Sequence, residues 1–241
     1  MEIARAAAGL FVSRGLKATR AEDIAQAAGI APRTFYRYFA TKEEAVTPLY
    51  AAGAQRWAEA VRDAPAELPV PEALEHAVRH TLVPGRGVSA ASWEWVRTLI
   101  RLAGTSPALG KVWAEVCHTS ETTLAEVLAE RVQAAATTPT AAPSPSSAPD
   151  NVASPHQRFT AAVASATVRV AVESWAASST PPTGPQGPAE LALHNLRSLR
   201  GFTWEEGPAE RSPQGPAERP TAGPAQGPPQ GQAERPTAGP A

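Results

Sequence analysis

Two glycines, Gly15 and Gly29, cut the first 45 residues into segments that suit only a cluster of short helices. Ile3, Ala6, Ala7, Leu10 and Phe11 recur at the spacing of one helix face, and Gly15 follows Arg14 as a stop with positive charge in the last turn. Thr19-Arg20-Ala21-Glu22 predicts a capping box in which the Thr19 hydroxyl accepts from the Glu22 amide. The helix it opens, about 20–27, should bury Ile24, Ala25 and Ala28, with Gly29 supplying the left-handed residue that ends it. Pro32 fits the first turn of a third helix ending near Phe39, and Ile30 and Phe35 are spaced as a hydrophobic staple. Thr41 and Glu44 form a second capping box that should open a fourth helix. A pair of short helices joined by a glycine-containing turn makes a helix-turn-helix.

The third helix carries the chemistry. Phe35 and Phe39, four residues apart, share an inward face. That leaves Arg33, Thr34, Tyr36, Arg37 and Tyr38 for the outer faces, and residues 31–42 hold three bases (Arg33, Arg37, Lys42) and no acid. Guanidinium groups offer bidentate donors to phosphates and guanine edges; hydroxyls add single hydrogen bonds. The formal net charge of the whole chain is −1, so composition excludes a globally basic coat for nucleic acid. Any affinity for DNA must be local to this surface.

Taken together, Ile3…Ala6-Ala7…Leu10-Phe11…Gly15, Thr19…Asp23-Ile24-Ala25…Ala28-Gly29-Ile30, Arg33-Thr34-Phe35-Tyr36-Arg37-Tyr38-Phe39 and Thr41-Lys42-Glu43 resemble the DNA-binding domain of the TetR family of bacterial transcriptional regulators. The resemblance implies that residues 21–28 support the unit and residues 32–38 enter the major groove. Arg33, Thr34, Tyr36, Arg37 and Tyr38 would contact bases or phosphates, and Lys42 a phosphate. It further implies a homodimer on double-stranded DNA carrying a palindromic operator, released when a small-molecule effector enters the larger helical domain. Three positions depart from the family pattern. Ala31 cannot cap the third helix as a serine would. Only Met1 and Glu2 precede the first helix where a basic arm is usual. Pro48, about seven residues into the expected fourth helix, should kink it by removing a hydrogen bond to the Glu44 carbonyl.

Beyond residue 45 the periodicity is helical throughout, which predicts an all-α chain of about nine helices. Val46, Leu49, Tyr50, Trp57 and Val61 extend the fourth. Leu74, Ala77, Val78 and Leu82 mark a fifth, ended by Pro84-Gly85, and Trp93, Val96, Leu99, Ile100 and Ala103 a sixth. Leu109, Val112, Trp113, Val116, Leu124, Val127, Leu128 and Val132 mark a seventh with an expected break near 118–120. Phe159, Val163, Ala166, Val170 and Trp175 mark an eighth, and Leu191, Leu193, Leu196 and Leu199 a short ninth. Residues 95–116 resemble the C-terminal domain of a subgroup of actinobacterial TetR-like regulators. The expected organisation is a DNA-binding domain at 1–45, a ligand-binding and dimerisation domain at 46–200 with a flexible linker at 137–155, and a tail at 201–241. Of the 25 prolines, 18 lie in residues 137–241; QGPAERPTAGPA at 214–225 returns as QGQAERPTAGPA at 230–241. These repeats hold no large apolar residue, so stacking them would not offset the entropy of ordering, and the tail should be disordered.

Several chemistries find no support. A single cysteine, Cys117, excludes an internal disulfide framework. No run of 18 apolar residues suggests a membrane span, and a cytoplasmic, nucleoid-associated protein is expected. His76 and His80 sit four apart but lack a third ligand at motif spacing, so neither a metal site nor a cofactor is expected. Cys117-His118 stands without an orienting base, and no catalytic residue is assigned. Within the larger domain, Trp93, Arg97, Arg101 and Trp175 are the candidate ligand-binding residues. The resulting expectation is a ligand-responsive transcriptional regulator, with repression the expected sign. The alternative is a small-molecule-sequestering protein that has lost its operator.

Overall fold

The computed structural model describes residues 1–85, 90–136, 152–199 and 201. The linker expected at 137–155 falls outside them except for its last four residues, and the repeat tail falls outside them almost entirely. The described residues contain nine α-helices and no strand: α1 (Glu2–Arg14), α2 (Ala21–Ala27), α3 (Pro32–Tyr38), α4 (Thr47–Arg62), α5 (Val70–Thr81), α6 (Ala90–Thr105), α7 (Pro107–Ala136), α8 (Pro155–Ala177) and α9 (Pro188–Ser198).

Helices α1 to α3 close on one small core. Ala7, Ala8 and Phe11 of α1, Ile24 and Ala25 of α2, and Phe35 of α3 are buried together. Gly15 and Gly29 both adopt positive φ, +83° and +68°. At Gly29 the turn is a complete Schellman motif: the Ile30 amide donates to the Ala25 carbonyl and the Gly29 amide to that of Gln26. The cap of α2 differs from expectation by one residue. Arg20 is the N-cap, its backbone amide donating to Asp23 at 2.9 Å. Thr19 is fully buried, and its hydroxyl donates instead to the Gly15 and Leu10 carbonyls. The carbonyls at the C-terminus of α1 lack intrahelical partners. The buried hydroxyl supplies one there, and the adjacent acid takes over the cap.

Pro48 does not kink a helix. The second capping box forms, with the Thr41 hydroxyl accepting from the Glu44 amide and the Glu44 carboxylate from the Ala40 amide. It opens only a 3₁₀ turn over Glu44–Val46, after which α4 starts afresh at Thr47. Pro48 therefore lies in a first turn, where a missing amide proton removes no intrahelical bond. Helix α3 begins as expected, Ala31 giving no side-chain cap.

The larger region packs α4 along α7, α7 along α8, and α8 along α9. Its main core joins Val61, Leu74, Val78, Leu124, Leu128, Ala161, Ala164 and Leu193. Helix α7 runs unbroken for 30 residues, contrary to the break expected near 118–120. Thr119 and Thr123 return their hydroxyl protons to carbonyls four residues back, which lets polar residues sit inside the helix. Arg131 on α7 donates to the carbonyls of Val61, Ala64, Pro65 and Leu68, and so fixes the α4–α5 connection. Ser154 and Gln157 form a reciprocal capping box at the start of α8, so the expected linker gives way to ordered chain just before Pro155. On α9, Leu193 and Leu196 are buried within the chain, while Leu191 and Leu199 are half-buried.

Candidate functional site

The outward face of α3 is assembled as its residue pattern requires. Phe35 is fully buried, with its ring 5.5 Å from that of half-buried Phe39. This contact turns the rest of the helix outward. Arg33 and Arg37 are exposed, Tyr36 is 52% exposed, Tyr38 is 60% exposed, and Thr34 is half-buried. The face is already cross-linked. The Tyr36 hydroxyl donates to Glu22 Oε1 of α2 at 3.2 Å. Partial desolvation, then this bond and the negative charge of Glu22, raise the phenol above its ordinary pKa. Arg37 Nη2 donates to the Tyr38 hydroxyl at 3.2 Å, and the guanidinium lies 5.0 Å from the Tyr38 ring centre. The result is a neutral phenol and two guanidinium groups held on one rigid short helix.

Lys42 is placed differently from its neighbours. It is half-buried, and its ammonium donates to the Leu16 carbonyl at 2.7 Å and the Thr19 carbonyl at 2.8 Å. Two of its three donors thus clasp the α1–α2 turn to the segment after α3. Residue spacing could not reveal this use, because the acceptors lie 26 and 23 positions away.

The second feature is a cavity of about 960 Å³. Its walls come from α1, α4, α5, α6, α7 and α8, and include Tyr50, Trp57, Trp93, Trp95 and Trp113. Burial pushes the Tyr50 phenol well above its usual range; its hydroxyl donates to the Leu99 carbonyl at 2.8 Å, joining α4 to α6. Cys117 also lines the cavity, and burial raises its thiol to about 11 despite the nearby Arg169. His76 and His80 lie at the rim with parallel rings 6.5 Å apart. No group of three His, Cys, Asp or Glu residues suited to a metal ion occurs among the described residues.

Of the four residues expected to bind a ligand, only Trp93 lines this cavity. Arg97, Arg101 and Trp175 instead secure the end of α8. Arg101 donates to the carbonyls of Ala176 and Ser178. Arg97 donates to the Thr180 carbonyl and stacks 4.4 Å from the Trp175 ring centre. Trp175 is fully buried, and its indole N–H donates to the Pro181 carbonyl. Orphan carbonyls at a helix C-terminus attract cations. Only the tertiary fold shows that the end of α8 meets α6. The cavity residues missed by spacing, Tyr50, Trp57 and Trp113, lie on α4 and α7, where their periodicity reads simply as core.

Comparison with known proteins bears on both features. Residues 3–46 match "Bacterial regulatory proteins, tetR family". The N-terminal domain belongs to the tetR family. Within this tetR-type domain the chain is 47% identical over 51 residues to the HTH-type transcriptional regulator TcmR of Streptomyces glaucescens, covering 21% of this chain and 23% of that protein. It is 48% identical over 48 residues to the HTH-type transcriptional repressor KstR2 of Mycobacterium tuberculosis, covering 20% of this chain and 24% of the relative. The match thus spans about a quarter of the length of these curated relatives. Among solved structures, the fold resembles Thermus thermophilus FadR, a TetR-family transcriptional repressor in complex with lauroyl-CoA. That similarity has a TM-score of 0.51 at 23% identity and covers 87% of this chain and 98% of the other. A TetR-family transcriptional regulator from Rhodococcus sp. superposes with a TM-score of 0.50 at 18% identity, covering 82% and 96%. The all-helical architecture read from the residue pattern is therefore the fold of TetR-family regulators, helix-turn-helix domain included.

Proposed function

We propose that this protein is a sequence-specific DNA-binding transcriptional regulator whose affinity for its operator is set by a small molecule in the helical cavity. The observation that carries the reading is the acid-free outer face of α3, with Arg33, Thr34, Tyr36, Arg37 and Tyr38 presented by a helix-turn-helix. Arg33 and Arg37 act on phosphates or guanine edges, and the hydroxyls of Thr34, Tyr36 and Tyr38 add contacts that fix register. Lys42 serves first as a positioning residue and lends its charge to the nearby backbone. A homodimer places two such helices on adjacent major-groove faces of a palindrome, about 34–36 Å apart. The half-buried Val163 and Ala166 and the exposed Val170 of α8, with Leu191 and Leu199 of α9, supply the apolar surface for that pairing.

The cavity adjoins the DNA-binding unit directly. Met1 and Arg5 of α1 contribute to its wall, and a Cβ on Gly9 would lie 3.4 Å from the Trp95 ring. An occupant that favours one arrangement of α1 and α4 shifts the spacing of the recognition helices by its differential affinity for the two states. That the same fold holds lauroyl-CoA in the Thermus protein supports a ligand-sensing use of this region. Repression is the sign that fits release by an effector.

Titrating labelled genomic fragments from around its own gene with wild-type protein and with Arg33→Ala/Arg37→Ala tests the reading. Saturable binding of one fragment by the wild type, lost in the variant while the fold is retained, supports it. Equal binding by both proteins would remove α3 from the interface.

A further inference from the structure

Six tryptophans occur in the chain, and four of them, Trp57, Trp93, Trp95 and Trp113, line the one cavity described above, together with Tyr50. They come from three helices, α4, α6 and α7, so no single amphipathic stripe accounts for the gathering. Their polar ends are turned away from a ligand. The Trp113 indole N–H donates to Glu173 Oε1 at 2.7 Å. Those of Trp57 and Trp93 are shut off from the cavity surface and from solvent. What the walls present is aromatic carbon. The rings are also held in place: Trp113 stands edge-on to Tyr50 with centroids 5.1 Å apart, and Trp93 stands edge-on to Trp175 at 5.2 Å.

Charge in the cavity is balanced rather than selective. Arg169, the basic residue beside Cys117, is engaged by Glu173 at 3.3 Å. The desolvation that lifts the Tyr50 phenol and the Cys117 thiol would act equally against an anionic group buried beside them. Rigid aromatic walls attract the faces and edges of other rings through their quadrupoles, beyond the area they bury, and a saturated chain gains only the burial. A space of about 960 Å³ is at the roomy end for small-molecule sites and admits several fused rings.

We infer that the effector is a neutral, planar, polycyclic aromatic molecule that lies against the rings of Trp95, Trp113 and Tyr50, rather than a flexible saturated chain or an anion. This identity rests on the reading of the cavity as the effector site, but its test does not depend on DNA.

Trp95 is the residue to vary, because it is 43% exposed and its replacement leaves the core intact. Binding of 1-aminoanthraquinone, a neutral three-ring probe, is measured by calorimetry against lauramide, a neutral twelve-carbon saturated amide, and lauroyl-CoA, an anionic acyl thioester. The wild type is expected to bind the anthraquinone at least tenfold more tightly than either chain. Trp95→Leu should weaken the anthraquinone about three- to tenfold, leave lauramide within twofold, and recover in Trp95→Phe. Tighter binding of either chain, equal losses for ring and chain in Trp95→Leu, or no binding of the anthraquinone would each overturn the assignment. A fluorescence-anisotropy titration on operator DNA, run without ligand, reports separately on the regulator reading. DNA binding with a preference for the chains would refute only the ligand class; anthraquinone binding without DNA binding would refute only the regulator.

Discussion

Replacing Lys42 with methionine separates two jobs that one side chain could do. In the structure its ammonium makes two hydrogen bonds, at 2.7 and 2.8 Å, to the carbonyls of Leu16 and Thr19. A hydrogen bond from a charged donor contributes about 1.5–3 kcal/mol, and because Lys42 is half-buried and its head partly hydrated the lower end applies. Losing both, with two carbonyls left short of a partner, should cost about 2–3 kcal/mol. In a folded unit of this size that is a fall of about 4–12 °C in thermal midpoint, provided the small α1–α3 core unfolds with the rest. Circular dichroism melts read the first effect. The second is read by measuring DNA affinity by anisotropy across a salt series. A residue that mainly neutralises a phosphate removes about one unit of slope in log K against log salt; one that mainly positions α3 lowers affinity with a slope change below about half a unit. The clasp predicts the second pattern together with the lower midpoint. An unchanged midpoint with a full unit of lost slope would refute it and return Lys42 to a plain phosphate contact.

Arg33→Ala should relax preference at a single base pair of each half-site, by about 1–3 kcal/mol, in a competition assay over all single substitutions of the operator; uniform weakening at every position would make Arg33 a phosphate contact instead. Arg101→Met should lower the melting midpoint by several degrees through loss of its bonds to the Ala176 and Ser178 carbonyls, yet leave cavity binding of the anthraquinone probe within twofold. A large loss of ligand affinity in the folded variant would restore Arg101 to the site. The Cys117 thiol, raised to about 11, is protonated throughout the neutral range. Its alkylation by iodoacetamide at pH 8 should run about 100-fold slower than for a thiol of pKa 9 and climb about tenfold per pH unit up to pH 10; a plateau by pH 9 would show an unshifted thiol.

The DNA-binding unit was legible because its rules are local. Gly15 and Gly29 needed positive φ, Phe35 and Phe39 needed one face, and the outer residues of α3 followed by elimination. What failed at this level failed by one residue or one turn. Thr19 was drawn from the α2 cap into the core because the end of α1 needed a donor. Pro48 became harmless once the 3₁₀ turn at Glu44–Val46 allowed α4 to restart. The cavity was not legible in the same way. Arg97, Arg101 and Trp175 looked like a site because they are cationic and aromatic, but the carbonyls they satisfy come from the end of α8 and the turn after it, about 75 to 83 positions beyond the arginines. Trp57 and Trp113 looked like core because a helix face toward a cavity and a helix face toward another helix carry the same apolar period.

The most direct test of the central claim is a hydroxyl-radical footprint of the purified protein on its operator, repeated with Arg37→Ala. The account predicts two protected patches related by a two-fold axis, with their centres about 10–10.5 base pairs or a multiple apart, both lost in the variant. A single patch without dyad symmetry, or protection that survives the loss of Arg37, would contradict it.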